Sequence, residues 1–230
     1  MFEVSERWKS AYPDAMVGML VVRGATNVTS HPELEKRKRA LEAELRSRFA
    51  NPEDIKSVDA IKSYTAYYKR FETTYHIVLQ MKTLVVKQRP LPTVSGLVDV
   101  MFMAEMKNLL LTAGHDLATV VPPVTLDAAA GTESYVKLNQ EPQVAKAGDM
   151  MVVDREGILS AIVYGPDYRS RISAQTRDAL YVVYAPDGIT KEQVGGHLRD
   201  IEENILVFCP SARVEPARIL SARGIEELQV

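Results

Sequence analysis

A chain of 230 residues, 46% hydrophobic and 25% charged, carries enough apolar side chain to build a core without disulfide or metal staples. Its net charge of −2 excludes the overall basic balance of a dedicated nucleic-acid binder, so any RNA contact has to come from a local patch. One cysteine, Cys209, excludes an intramolecular disulfide, and the sequence predicts it as a small buried residue near a strand end.

The segment from Met1 to Met16 contains no apolar run of signal-peptide length. The apolar stretch Val94–Leu111 is interrupted by Asp99, Glu105, Lys107 and Asn108. The expectation is a cytoplasmic protein that does not cross a membrane. Ala15–Val22 is a short apolar run ending at Arg23-Gly24 and predicts a buried strand. Ser30-His31-Pro32 opens a helix, with Pro32 in its first turn and Ser30 or His31 as cap. Along it, Glu35/Arg39, Glu42/Arg46 and Glu44/Arg48 pair at four-residue spacing, and Leu34, Leu41, Leu45 and Phe49 form the buried stripe. The run Lys36-Arg37-Lys38-Arg39 reads as a solvated helix face neutralised by these glutamates, with a nucleic-acid contact as the alternative.

A second helix is expected from Asn51-Pro52 towards Phe71, carrying Tyr64, Tyr67 and Tyr68 ahead of Lys69 and Arg70. Tyrosines at that spacing either pack half-buried or, interleaved with cations, stack bases. After the break Gln88-Arg89-Pro90-Leu91-Pro92, the segment Thr93–Asp116 is apolar nearly all the way round and predicts a central helix ended by Gly114. Glu105, Asn108 and Thr112 recur on it at three- and four-residue spacing and so share one face, followed directly by His115. An unpaired buried polar group costs about 1–3 kcal/mol. That stripe therefore either meets solvent or floors a pocket offering an acid, an amide, a hydroxyl and an imidazole.

From about Ala118 the texture changes to short β-like runs: Ser134–Leu138, Met150–Val153, Ile158–Tyr164, Ala179–Tyr184 and Ile205–Phe208. Between the last two lies a helix opened by Thr190, with Gln193 at capping-box spacing. Helices first and strands later predict an α+β fold, a mixed β-sheet with packed helices, over one domain, 1–230. Its helix-rich part covers about 1–115 and its β-rich part about 116–230. The four histidines are too dispersed for a metal-ligand spacing, and no P-loop, dinucleotide fingerprint or Gly-x-Ser-x-Gly elbow occurs, so neither metal nor cofactor is expected.

The order of signals from Pro92 to Pro186 resembles the tRNA-binding editing domain of the phenylalanyl-tRNA synthetase β-subunit. It carries Val98-Asp99, Lys107-Asn108 at a Thr-Asn step, and Gly114-His115 at a compressed Gly…His step that lacks the family's Gln-Pro-Leu. Gly131-Thr132-Glu133, Leu138-Asn139 and the run Gly148–Asp154 follow, then Gly165 at a glycine-rich turn and Thr176 before Leu180-Tyr181-Val182. The resemblance implies a free-standing member whose fold holds a pocket between two subdomains, used in the synthetase to hydrolyse tyrosine wrongly attached to tRNA. The family's tyrosine-contacting glutamate falls on Val182, which cannot accept a hydroxyl proton, so selection of tyrosine by that route is not expected.

Two functions follow from the resemblance. One is hydrolysis of a mischarged aminoacyl-tRNA in trans, with His115 or Glu133 orienting water and Asn108, Glu105, Thr112, Gly165 and Val182 lining the substrate site. The other is a non-catalytic module for tRNA, an amino acid or a related metabolite. Lys62, Lys69, Arg70, Lys82, Lys87, Arg89, Arg169 and Arg171 form the candidate RNA patch, each also readable as an ordinary surface cation. The partners expected are a tRNA or an amino-acid-like ligand, not DNA or a membrane. ATP-driven charging of tRNA is excluded by the lack of any nucleotide signature.

Overall fold

The computed structural model describes residues 1–228. The chain is a mixed α+β structure built on two principal sheets. In order the elements are β1 (Phe2–Val4), α1 (Glu6–Ala11), β2 (Met16–Arg23), α2 (Pro32–Arg48), α3 (Asp59–Lys69), α4 (His76–Val85) and α5 (Gly96–Asn108). Then come β3 (Leu111–Asp116), β4 (Val124–Ala128), β5 (Ser134–Val136), β6 (Pro142–Val144), β7 (Met150–Asp154), β8 (Gly157–Ala161), β9 (Gly165–Pro166) and β10 (Ala179–Ala185). The chain closes with α6 (Lys191–Phe208), β11 (Arg213–Val214), β12 (Ala217–Ser221) and β13 (Gly224–Leu228).

One sheet has the order β13-β12-β2-β10-β3, with β11 also against β2; the other runs β1-β4-β7-β8-β9; β5 and β6 form a small ribbon. The pairs are antiparallel except β1 with β4, where the chain's first strand joins the second sheet. The buried run predicted at 15–22 is β2, fully covered because β10 and β12 flank it and α6 packs on its face. Gly18 is what lets α6 approach: a Cβ there would lie 2.5 Å from a Val194 methyl.

Several expectations hold locally. Pro32 sits at the start of α2, His31 occupies its N-cap, and Leu34, Leu41, Leu45 and Phe49 are buried. The Thr190/Gln193 capping box opens α6. Others fail. The tyrosine-bearing segment is a 3-10 turn, Pro52–Ser57, followed by the separate helix α3. Ile205–Phe208 is the last turn of α6 rather than a strand, which places Cys209 at a helix end. The central helix stops at Asn108, with Leu109 in the left-handed region at φ 60°, so Thr112, Gly114 and His115 belong to strand β3.

The basic run on α2 is not wholly solvated. Lys38 is buried, and its Nζ donates to Asp99 Oδ2 (2.7 Å), Glu35 Oε1 (2.7 Å), Thr93 Oγ1 (3.0 Å) and the Pro92 carbonyl (3.2 Å). Asp99, equally buried, also accepts from the Val94 amide at 2.8 Å. This pair clamps α2 to the start of α5 and to the proline break before it. Removing one partner strands the other charge in the core, which costs about 3–5 kcal/mol. Lys38→Met should therefore lower the urea-unfolding free energy by about that amount, and Lys38→Met with Asp99→Leu should recover most of it. Equal stability of the single variant and the unaltered chain would contradict the assignment.

Candidate functional site

β3 is the edge strand where the two sheets meet, since its outer side faces the segment carrying β9. Along the far half of that edge the Asp116 amide donates to the Ser170 carbonyl (2.6 Å), and His115 bridges Arg171. Along the near half the Thr112 amide has no strand to pair with, and it donates to Glu105 Oε1 of α5 at 2.8 Å. A carboxyl oxygen thus takes the place of a missing strand.

Beside this contact opens a cavity of about 140 Å³, lined by His76 and Gln80 of α4, Met101, Phe102 and Glu105 of α5, and Leu111, Thr112 and Ala113 of β3. Leu138, Ala161, Gly165, Pro166 and Tyr184 complete it. At about 30 Å³ per water, the space corresponds to roughly five waters and suits an amino-acid-sized group. Gly165 contributes backbone rather than a side chain; its φ of +80° favours glycine, and its carbonyl accepts from the Tyr135 hydroxyl at 2.9 Å.

The carboxyl and the imidazole on the cavity wall are shifted in opposite senses. Burial pushes the Glu105 carboxyl up to about 8, against the Thr112 amide bond that lowers it. Burial lowers His76, so its ring is neutral at pH 7. Among the described residues Glu105 Oε2 and both His76 ring nitrogens lack hydrogen-bond partners. Sequence reasoning overlooked His76 and Gln80. Their four-residue spacing on one helix was the available signal.

Of the predicted candidates, Glu105, Thr112 and Gly165 line this cavity, whereas Asn108, His115, Glu133 and Val182 do not. In β3, Thr112 and His115 point to opposite faces. Thr112 Oγ1 meets His197 Nε2 (2.6 Å) on α6, and Asn108 Nδ2 donates to Asp200 Oδ2 (2.8 Å) and lies 3.4 Å from His197 Nδ1. His115 faces the second sheet, its Nδ1 2.7 Å from Ser170 Oγ and its Nε2 3.1 Å from Ser160 Oγ. Both ring nitrogens are engaged and the side chain is fully buried, so this imidazole holds the two sheets together and cannot reach a ligand. Glu133 accepts the amides of Ala130, Gly131 and Thr132 at 2.9–3.1 Å in a turn outside the cavity wall. Val182 is fully buried opposite Ala113 in β10 and does not line the cavity.

The candidate RNA cations divide. Lys62, Lys69 and Lys82 line one groove between α3 and α4, and Arg89 lines an adjoining apolar one. Arg70 lies over the rings of Tyr12, Tyr67 and Phe71 at 5.3–5.6 Å, and Lys87 is exposed. Arg169 is held by Asp154 (2.9 Å) and the Thr119 carbonyl (2.6 Å), while Arg171 covers the Tyr168 ring at 3.7 Å. These last two are occupied inside the protein.

No protein-family model matches the chain, and no curated protein matches it. Among solved structures, an N-terminal fragment of the phenylalanyl-tRNA synthetase β-subunit from Pyrococcus horikoshii superimposes with a TM-score of 0.56 at 12% sequence identity. The match covers 100% of this chain and 54% of that fragment, so the chain spans about half the fragment's length. The two share a related fold. Among the described residues, no helix is long and apolar enough to cross a membrane.

The buried histidines generate a test. Burial pushes both His115 and His197 down to about 3, so each is neutral in the fold and takes up a proton near its ordinary 6.5 when the chain unfolds. Their contribution is complete above pH 6.5 and is lost progressively as pH falls towards 3. Urea midpoints should decline below pH 6.5, and ring resonances of both should remain those of neutral imidazole at pH 5. Protonated rings in the folded protein at that pH would contradict their burial.

Proposed function

We propose that this chain is a tRNA-directed editing-type protein whose cavity takes the aminoacyl group at the 3′ end of a mischarged tRNA and hydrolyses its ester. The observation that carries this reading is the cavity at the junction of the two sheets, walled by the His76 imidazole and the Glu105 carboxyl. The related fold of the synthetase β-subunit fragment and the ordered motifs from Val98 to Val182 support the substrate class.

The chemistry follows from the two groups. An aminoacyl ester is already activated, so one positioned water and one base suffice. His76, neutral at pH 7, accepts the proton of that water through a free ring nitrogen as the water oxygen bonds to the acyl carbon, and returns it to the ribose oxygen as the acyl C–O bond breaks. Glu105, protonated at pH 7, donates from Oε2 to the carbonyl oxygen on which negative charge develops, while its Oε1 stays fixed by the Thr112 amide. Such a base typically contributes roughly 10²–10⁴-fold. Two groups whose surroundings drive their proton affinities apart can serve as base and acid at one pH. The walls offer no charged partner for a tyrosine hydroxyl, and Val182 is buried away from them, which favours a smaller or apolar aminoacyl group.

The test is deacylation of a panel of mischarged tRNAs across pH 5.5–9. The rate above background should be steady near pH 7 and fall as pH rises through about 8, where Glu105 loses its proton. Glu105→Gln keeps a donor and an acceptor and should retain activity without that fall. His76→Asn should lose about 10²-fold or more. An unchanged rate in His76→Asn, or no turnover of any mischarged tRNA by the folded protein, removes the enzymatic reading.

A further inference from the structure

We infer that α4 is the rail along which the single-stranded 3′ end of an RNA is laid, and that Leu79 and Phe102 are the stations where its bases rest. This rests on the proposed reading of the cavity and extends it to the remainder of the substrate.

Three depressions lie along α4 and share lining residues. The first, about 770 Å³, is lined by Lys56, Lys62, Lys69 and Lys82 with the hydroxyls of Thr73 and Thr74, against a single acidic residue, Glu72. The second, about 270 Å³, is mainly apolar, formed by Leu84, Leu91, Pro92 and Met106 with the Arg89 guanidinium at its side. The third is the 140 Å³ cavity with His76 and Glu105. Leu79 belongs to the first two, and Gln80 and Phe102 to the last two, so the depressions join end to end. Leu79 is 55% exposed on a helix whose opposite face is buried, and Phe102 is part-exposed.

The order is cationic, then apolar, then the cavity with an acid and a base. A single-stranded RNA ending in an acyl ester carries a phosphate and a base in every nucleotide and the acyl group only at its terminus, so upstream phosphates meet the lysines, the last bases meet the apolar groove and the acyl group reaches the cavity. Lys56 and Lys62 pair with Glu53 and Asp59, whereas among the described residues Lys69 and Lys82 have no salt-bridge partner and are available to phosphates. An apolar peptide helix in the second groove would leave these two lysines unmatched. Single strands are held by a cationic track with aromatic or apolar stacking platforms, and this arrangement supplies both.

The probe is a short fluorescently labelled single-stranded RNA ending in CCA, titrated at several salt concentrations, with a same-sequence duplex as control. Leu79→Glu alters an exposed position, so folding is preserved, and it should abolish saturable binding. Phe102→Ala should weaken binding about 5- to 150-fold, the range expected for one stacked base, with the salt slope unchanged. Lys69→Gln with Lys82→Gln should lower the slope of log K against log salt by about 1.4, two phosphates on a single strand. Binding of the strand unaffected by Leu79→Glu and Phe102→Ala overturns the rail. Hydrolysis of an amino-acid methyl ester, measured in parallel, separates the two readings. Ester turnover without strand binding overturns the rail and leaves the cavity's chemistry standing, whereas loss of both removes the two together.

Discussion

The gap between the two sheets is set by α3, whose tyrosines end on backbone groups of both. The Tyr64 hydroxyl donates to the Tyr184 carbonyl of β10 and accepts the Leu111 amide of β3 at 2.9 Å. Tyr67 donates to Asp149 (2.6 Å) and accepts the Met150 amide (2.7 Å) at the start of β7, and Tyr68 donates to the Ile162 carbonyl (2.7 Å) beyond β8. Each such bond contributes only about 1 kcal/mol net, but an unmet one would leave a buried polar group at greater cost. One helix therefore fixes the place of both sheets, and the cavity is the space left where β3 and β9 fail to close.

The same constraint ties Glu105 to His76. Tyr75 stacks on Tyr64 with ring centres 4.3 Å apart and sends its hydroxyl to the Leu109 carbonyl at 3.1 Å. Tyr75 is the residue before His76, and Leu109 lies one helical turn beyond Glu105, whose carbonyl its amide meets. A left-handed leucine costs roughly 1–2 kcal/mol relative to the right-handed form, and here burial of its side chain and the tyrosine bond offset it. Ending α5 at this residue turns the chain early enough for β3 to present its Thr112 amide to Glu105.

How far the sequence foretells this depends on whether a signal is local. The apolar run 15–22 needed no partner to be read as a strand, and Pro32, the leucine stripe of α2 and the Thr190/Gln193 box carry their own boundaries. Leu109-Leu110-Leu111 suits a helix or a strand equally, and the deciding contact comes from Tyr75, over thirty residues away. Helical spacing therefore extends the polar stripe Glu105, Asn108, Thr112 along a helix that does not continue. Lys38 carries no local mark of burial, because its partner Asp99 lies on another helix. The strands β1, β4, β12 and β13 are short, and three of them draw their order from neighbours distant in sequence.

The choice between two histidines shows why a family-like position is not a role. His115 follows a glycine as the resemblance asks, yet strand alternation turns it between Ser160 and Ser170, where both nitrogens are spent. His76 matches no motif, but it begins a helix whose next turn supplies Gln80 to the same wall. Burial acts on Glu105 and His76 alike by disfavouring charge, and this makes one a donor and the other an acceptor at neutral pH. A charged pair would attract and close upon itself, whereas two neutral groups leave the cavity between them open. Among the described residues no opposing charge lines the cavity, and the edge amide of Thr112 fixes Glu105 Oε1 while Oε2 has no hydrogen-bond partner.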